Sequence, residues 1–353
     1  MGGSGKDGKM RRWIAAGLAV ILLAGCMQAE RKQEFDAQYF DYFDTFTMFT
    51  VYAEDAEQFE EYKALVEFEL ENYHQLFDIY HSYNGVNNIK TINDNAGITP
   101  VKVDREIIKL LKIAGEEYDK TGGRVNVAMG SVLSLWHEYR TYGKENPERA
   151  ELPGRQALEK AAMHMDMEKV QVDEDKALVY LEDPDMSLDV GAVAKGYTAQ
   201  RICEKLRALG ADSALISIGG NVQAIGAKGN KSPWRVGVQS PNTSKGPSYL
   251  HALNLQDLAL VTSGIYQRFY EVDGVRYHHI IDPETLMPRR EFASVTILSP
   301  NGSEADALST AVFNMPLQEG QELIESLENT EALWVYEDGR EVFSSGFRDY
   351  VTN

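Results

Sequence analysis

A chain of 353 residues that is 43% hydrophobic and 25% charged, with 11 prolines, has the composition of an ordinary globular protein and the length for one large domain or two smaller ones. Its 54 acidic against 35 basic side chains leave a net charge of −19, a surface that repels polyanions and argues against a nucleic-acid partner. A nucleotide bound by such a chain needs local lysines, a metal ion or helix ends to offset that field.

Lys6, Lys9, Arg11 and Arg12 precede the apolar run Trp13 to Ala24, which stops at Gly25-Cys26. A bilayer span takes roughly 20 apolar residues, so the run is too short to cross and fits an export signal over residues 1–25. Leu23-Ala24-Gly25-Cys26 resembles the lipobox of bacterial lipoproteins, which implies a lipidated Cys26 and a chain held at a cell membrane on its exported side, periplasmic or extracellular. Cys203 then has no partner, which excludes a disulfide scaffold; it reads as a packed residue of a helix.

Residues 26–38 are polar and read as a tether, leaving 39–353 as the working domain. FDTFTMFTVYA, near 43–53, alternates like a strand. A long amphipathic helix follows, with Phe59, Tyr62, Val66, Tyr73, Leu76 and Phe77 at three- and four-residue steps, ending near Tyr80 and the Asn84-Gly85 turn. Asp104 is placed to cap a helix through about Tyr118, and the polar segment 141–154 is the best candidate for an internal break between two lobes. Beyond 170 short strands dominate, near 177–181, 187–190, 213–218, 234–239 and 250–255, interrupted by a helix from about 193 to 209 that Gly210 stops. Asp273-Gly274 and Asp338-Gly339 read as hairpin turns, and helices follow Glu304 and Leu317. The order predicts an α+β fold, layered helices on mainly antiparallel sheets.

The chemistry concentrates in a few stretches. SLDVGAVAKG reads as a short strand ending at Asp189 that turns into a helix carrying Ala192, Ala194 and Lys195 in its first turn, where free N–H groups and a movable ammonium can seat a phosphate. An ordinary strand-to-helix turn with a solvent lysine has the same pattern. Asp306 and Thr310 are four apart in a helical stretch, so a carboxylate and a hydroxyl share one face and offer the oxygen that Mg²⁺ prefers. Asp306 could equally serve the helix dipole and Thr310 could pack. His278 and His279 end a strand and should face opposite sides, one of them free to act as a base. Gly219-Gly220-Asn221 and Thr262-Ser263-Gly264 follow strands and could let backbone approach a ligand, while no dinucleotide or Walker glycine pattern and no zinc spacing occurs.

Taken together in order, Asp44-Thr45-Phe46-Thr47-Met48, Leu133 to Trp136, DVGAVAKG, ISIGGN, TSGIYQRF, HIIDPETLMP and ADALSTAVF resemble the ApbE-like FAD:protein FMN transferases across nearly the whole mature chain. The resemblance implies Mg²⁺ held by Asp306, Thr310 and the main-chain oxygen of Ala192. It implies flavin-nucleotide contacts from Met48, Tyr80, Asp189 and Lys195, with Asn126 at a position near the flavin pocket that is usually aspartate. Catalysis would fall to Asp306 and to His279, the latter helping to activate the acceptor hydroxyl. Leu286 stands where the family has glycine in DPxTGxP, so that turn should find another backbone conformation. The implied reaction is attack by a Ser or Thr hydroxyl of an acceptor protein on the FMN-side phosphorus of FAD, releasing AMP. Two alternatives stay open: water as the nucleophile, making an FAD pyrophosphatase that gives FMN and AMP, and a flavin-binding lipoprotein without turnover.

Overall fold

The computed structural model describes residues 32–241, 248–266 and 268–352. Cys26, the export signal and the first part of the tether lie outside the described residues. The tether expected to reach residue 38 stops sooner. β1 (Gln33–Tyr39) pairs along its length with β2 (Thr47–Ala53), packing Phe35, Ala37 and Tyr39 on the core. Its other residues, Glu34, Asp36 and Gln38, are exposed; a strand with one wet face has the polarity of a loop.

α1 (Ala56–Phe77) starts where the Asp55 carboxylate accepts from the Gln58 N–H, and buries Tyr62, Val66, Leu70, Tyr73 and Phe77 on one stripe. α2 (Ile89–Asp94), β3 (Val101–Lys102) and α3 (Arg105–Lys120), capped by Asp104 as the sequence predicts, come next. α4 (Gly130–Glu145) absorbs the start of the segment read as a loop over 141–154, and α5 (Arg155–Ala162) follows it. β4 (Val170–Asp173) and β5 (Leu178–Leu181) form a small sheet with β3. Residues 187–190 are not the strand their alternation predicts; a single bridge joins Ser187 to Met129. α6 (Ala194–Ala208) begins two residues after Ala192, which therefore lies in the turn before the helix and not in its first turn. Gly210 ends this segment with φ +94°.

The strands that follow are β6 (Ala214–Ile218), β7 (Asn221–Ile225), β8 (Trp234–Gln239), β9 (Tyr249–Leu255), β10 (Ala259–Gly264), β11 (Phe269–Val272), β12 (Val275–His278) and β13 (Ser294–Ser299). α7 (Gly302–Phe313), α8 (Leu317–Glu325), β14 (Glu331–Val335) and β15 (Glu341–Phe343) complete the order. Asp273 and Gly274 take φ +50° and +75°, the left-handed pair that a tight hairpin between β11 and β12 requires.

One eight-stranded sheet, ordered β1-β2-β6-β7-β10-β13-β14-β15 and antiparallel throughout, organises the molecule. On one face α6 lays Ile202 and Leu206 on Phe49, Ile216 and Ile218, while α7 lays Ala307, Leu308 and Ala311 on Val261, Val295 and Ile297. On the other, the β8–β9 hairpin seals Leu215, Val222 and Leu260 under Trp234, Leu253 and Leu255. Fully burying each such side chain contributes about 1.5–3 kcal/mol. This is the α+β layering expected.

The turn after Asp282 departs from expectation. Leu286 keeps φ +61°, the left-handed conformation that a glycine would favour, and does not move the backbone elsewhere. Its N–H donates to the Asp282 carbonyl at 2.8 Å, and its own carbonyl accepts from Trp136 Nε1 at 3.0 Å. The conformation costs an L-residue about 1–2 kcal/mol. The leucine side chain, 5% exposed among Trp136, Tyr270 and Ile281, offsets it by burial.

Candidate active site

The site grows from the crossing of α6 and α7. A Cβ on Gly196 would lie 2.2 Å from the Gly302 carbonyl oxygen and 2.5 Å from the Asp306 Cβ, so only glycine permits this approach. α7 enters the crossing capped by Asn301, whose side chain accepts from the Ser303 and Glu304 N–H groups. One turn on, Asp306, 4% exposed, presents Oδ2 to the Gly196 N–H at 2.8 Å and to Asn221 Nδ2 at 3.3 Å. Lys195 Nζ stands 3.8 Å from the same oxygen and donates to the Gly191 carbonyl at 3.1 Å. Burial pushes the Asp306 carboxyl up, opposed by the Lys195 charge and by the Gly196 and Asn221 donors. Thr310 Oγ1 lies 3.4 Å from Ser263 Oγ, which meets Ser309 Oγ at 2.8 Å. The first turn of α6 and the Asp306 carboxylate of α7 therefore meet, while Thr310, one turn along α7, reaches Ser263.

The loop itself is fixed from behind. The Asp189 N–H donates to the Val127 carbonyl, and the Asp189 carboxylate accepts from the Gly191 N–H at 2.9 Å. Asn126 is engaged twice, donating to the Met165 carbonyl and accepting from the Ala128 N–H, each at 2.8 Å. It shapes the backbone leading to Met129.

His278 and His279 diverge as predicted. His278 is buried, its Nε2–H donating to the Arg289 carbonyl at 2.7 Å while Nδ1 accepts from the Ile280 N–H. Burial holds it down at about 4. His279 is half-buried and donates from Nδ1 to the Arg268 carbonyl at 3.3 Å, which leaves the Nε2 lone pair as the acceptor. Burial, then the charges of Arg268, His278, Arg140 and Lys195, lower it to about 3.

Tyr80 is 49% exposed beside His137, ring centroids 5.1 Å apart. Met48 is not brought in by its side chain. Its register partner Ser217 alternates with Ile218, and Ile218 pairs with Asn221, the residue that reaches Asp306. Met48 thus points to the opposite face of the sheet from Asp306, and only its backbone neighbours share the site's side.

The oxygen-rich set of Asp306, Thr310 and the loop carbonyls suits a hard cation such as Mg²⁺, and the Lys195 ammonium already rests between Gly191 and Asp306 as a positive charge among those donors. A second cluster has metal-like spacing, His164, Asp183 and Asp185 within 4.8 Å of one another. There the Lys169 ammonium meets Asp183 at 3.1 Å and His164 Nδ1 meets the same carboxylate at 2.9 Å, so Asp183 is partnered from within the chain.

A profile of the ApbE family matches residues 43–334. The chain belongs to the ApbE family. This ApbE-family chain is 36% identical over 278 residues to the FAD:protein FMN transferase of Treponema pallidum, covering 74% of each. It is 32% identical over 258 residues to a Klebsiella pneumoniae protein of the same name, covering 73% of this chain and 77% of the other. The crystal structure of the ApbE protein of Thermotoga maritima superposes with a TM-score of 0.79 at 29% identity, covering 91% of this chain and 100% of that one.

Several ApbE site residues escape a reading of the sequence by motif. Gly302 closes the crossing on Gly196, and His137 sits between Arg140 and the Tyr80 hydroxyl; Gly196, Asn221 and Ser263, by contrast, lie within the motifs. His137 and Arg140 carried one signal, a spacing of three on a helix, which puts both on one face.

Proposed function

We propose that the chain transfers FMN from FAD to a Ser or Thr hydroxyl of an acceptor protein, forming a phosphoester and releasing AMP. The carrying observation is the meeting of Asp306 with the Gly196 N–H and Lys195 at the mouth of α6, with Thr310 one turn along α7. Asp306, Thr310 and the Ala192 carbonyl are the residues that would hold Mg²⁺, which when bound neutralises pyrophosphate charge. Lys195 supports the same phosphate, and the positive end of the α6 dipole favours an anion there, although the first-turn N–H groups are already engaged by Val190, Val193 and Asp306. His279, oriented by its bond to the Arg268 carbonyl, takes the hydroxyl proton at Nε2 as the acceptor oxygen attacks phosphorus. Burial first, and then the neighbouring positive charges, keep it unprotonated at neutral pH, and an arriving pyrophosphate opposes the second of these.

The full-length chain in detergent, given Mg²⁺, FAD and a candidate acceptor, should add the mass of FMN to that acceptor. FAD converted to FMN and AMP at the same rate with no acceptor labelled would make the activity hydrolysis; FAD bound stoichiometrically and left intact would make it storage. The lipobox motivates a lipid anchor at Cys26 and placement on the exported face of the membrane. Mass spectrometry of the mature N-terminus should find an acylated Cys26, and an unmodified one would remove the anchor.

A further inference from the structure

The base and the carboxylate–hydroxyl pair reach the site on separate elements. His279 follows β12 outside any strand, two residues before Ile281 bridges Pro288, while Asp306 and Thr310 ride on α7. Phe313 at the end of α7 meets the His278 ring at a centroid distance of 5.6 Å, which sets the spacing of the two elements. One side chain then joins them by directed bonds. Asn314, 1% exposed, ends α7 with its N–H donated back to the Thr310 carbonyl at 3.3 Å and the Ala311 carbonyl at 2.9 Å. Its Nδ2 donates to the Ile281 carbonyl at 3.3 Å, two residues beyond His279. Its Oδ1 has no partner among the described residues, so the Ile281 bond alone orients the amide.

Arg289 closes the connection from the other side. Its Nη1 donates to the Asn314 carbonyl at 3.1 Å and its Nη2 to Glu291 at 2.7 Å, and its own carbonyl accepts from His278 Nε2 at 2.7 Å. Asp282 stands 3.6 Å from the same Nη1. Followed round, the path runs from Asn314 to Ile281, back along the chain to His278, across to Arg289 and again to Asn314. His279 lies within that closed path, and Thr310 is one hydrogen bond outside it.

Apolar residues of similar volume would join the two elements without desolvating an amide and a guanidinium; what the polar pair adds is direction. Proton transfer depends on direction. As the acceptor oxygen bonds to the FMN-side phosphorus, its proton passes to His279 Nε2, and the bridging P–O bond breaks with its electron pair left on the AMP phosphate. The reach of Nε2 to that oxygen is set by where the segment after β12 lies against α7, and an error of about 1 Å there costs on the order of 100-fold. Resting on the proposed transfer reaction, we infer that Asn314 and Arg289 are positioning residues, which hold His279 in register with Asp306 and Thr310 by fixing the segment 278–281 to the end of α7.

The test uses the full-length chain in detergent with Asn314→Asp, Arg289→Gln and Arg289→Lys. Asn314→Asp keeps the side-chain shape and turns an oxygen toward the Ile281 carbonyl in place of a donor. Nitrogen-15 NMR of the histidine side chains, without FAD, should show one His279 tautomer in the parent, protonated at Nδ1, and an exchanging mixture in Asn314→Asp and Arg289→Gln. With Mg²⁺, FAD and acceptor, kcat should fall at least tenfold in both, KM for FAD should change less than twofold, and Arg289→Lys should recover part of kcat. A single Nδ1-protonated tautomer kept in both variants would overturn the proposal whatever kcat does, and so would a kcat within twofold of the parent; either leaves the pair a packing role. A raised KM for FAD with kcat retained would overturn it in favour of substrate contact. Should Asn314→Asp fail to fold by circular dichroism, Arg289→Gln, at a side chain 20% exposed, carries the same readouts. The tautomer is read without substrate, so a tautomer freed in the variants of a parent that labels no acceptor would defeat the transfer reading and not the link.

Discussion

Gly196 and Leu286 both stand where the backbone calls for glycine, and only the first has it. At Gly196 the demand is steric, because the Gly302 carbonyl of the crossing helix fills the space a side chain would need. At Leu286 it is conformational, because the backbone turns left-handed, yet a pocket between α4 and β11 receives the side chain. Packing from another element forbids substitution outright. A strained dihedral costs a fixed amount that burial can match. The first kind of glycine marks the active site, and the second marks a turn behind it.

Gly196→Ala should have the largest effect. Moving α7 away by even about 1 Å separates Asp306 from the mouth of α6, so transfer should fall by ~100-fold or more, together with a lowered Tm. A variant with full activity would mean the crossing is softer than the contact implies. Asp306→Ala should remove turnover with the circular dichroism spectrum retained, and should abolish any rise of Tm on adding Mg²⁺. A Mg²⁺-dependent Tm shift of parental size in that variant would take Asp306 out of the ion's shell.

Titration reaches the region behind Leu286 through His278. Its folded pKa is about 4 against an ordinary 6.5, so between those values the unfolded chain binds a proton that the fold does not. Stability present above about pH 6.5 is therefore lost as pH falls toward 4, by on the order of 2–3 kcal/mol. Urea melts across that window should show a shallower pH slope for His278→Gln than for the parent; identical slopes would assign the loss to other groups. Leu286→Gly should be the mildest change, within about 1 kcal/mol of the parent, since relieved strain and lost burial oppose each other. A loss well beyond that would show that the pocket outweighs the dihedral.

The sequence exposes what depends on local pattern. α1 and α3 are legible because their apolar stripes and aspartate caps are written within a few residues. Asp306 and Thr310 are legible because helical spacing places them on one face. β1 reads as a tether because an edge strand with one wet face carries the polar composition of a loop. Ser187 to Val190 alternate like a strand, but only Ser187 finds a bridge partner, in Met129, and nothing in the segment's own residues records that. The direction of Met48 is likewise a matter of register, set by its pairing with Ser217.

The bond from Gly196 to Asp306 spans 110 positions of chain, and α7 rests on β10 and β13 at the middle of the sheet. Contacts of such long range form late in folding. A chain emerging residue by residue therefore has no place to hold its substrate until α7 has docked, so an unfinished molecule cannot squander FAD before its own architecture is complete.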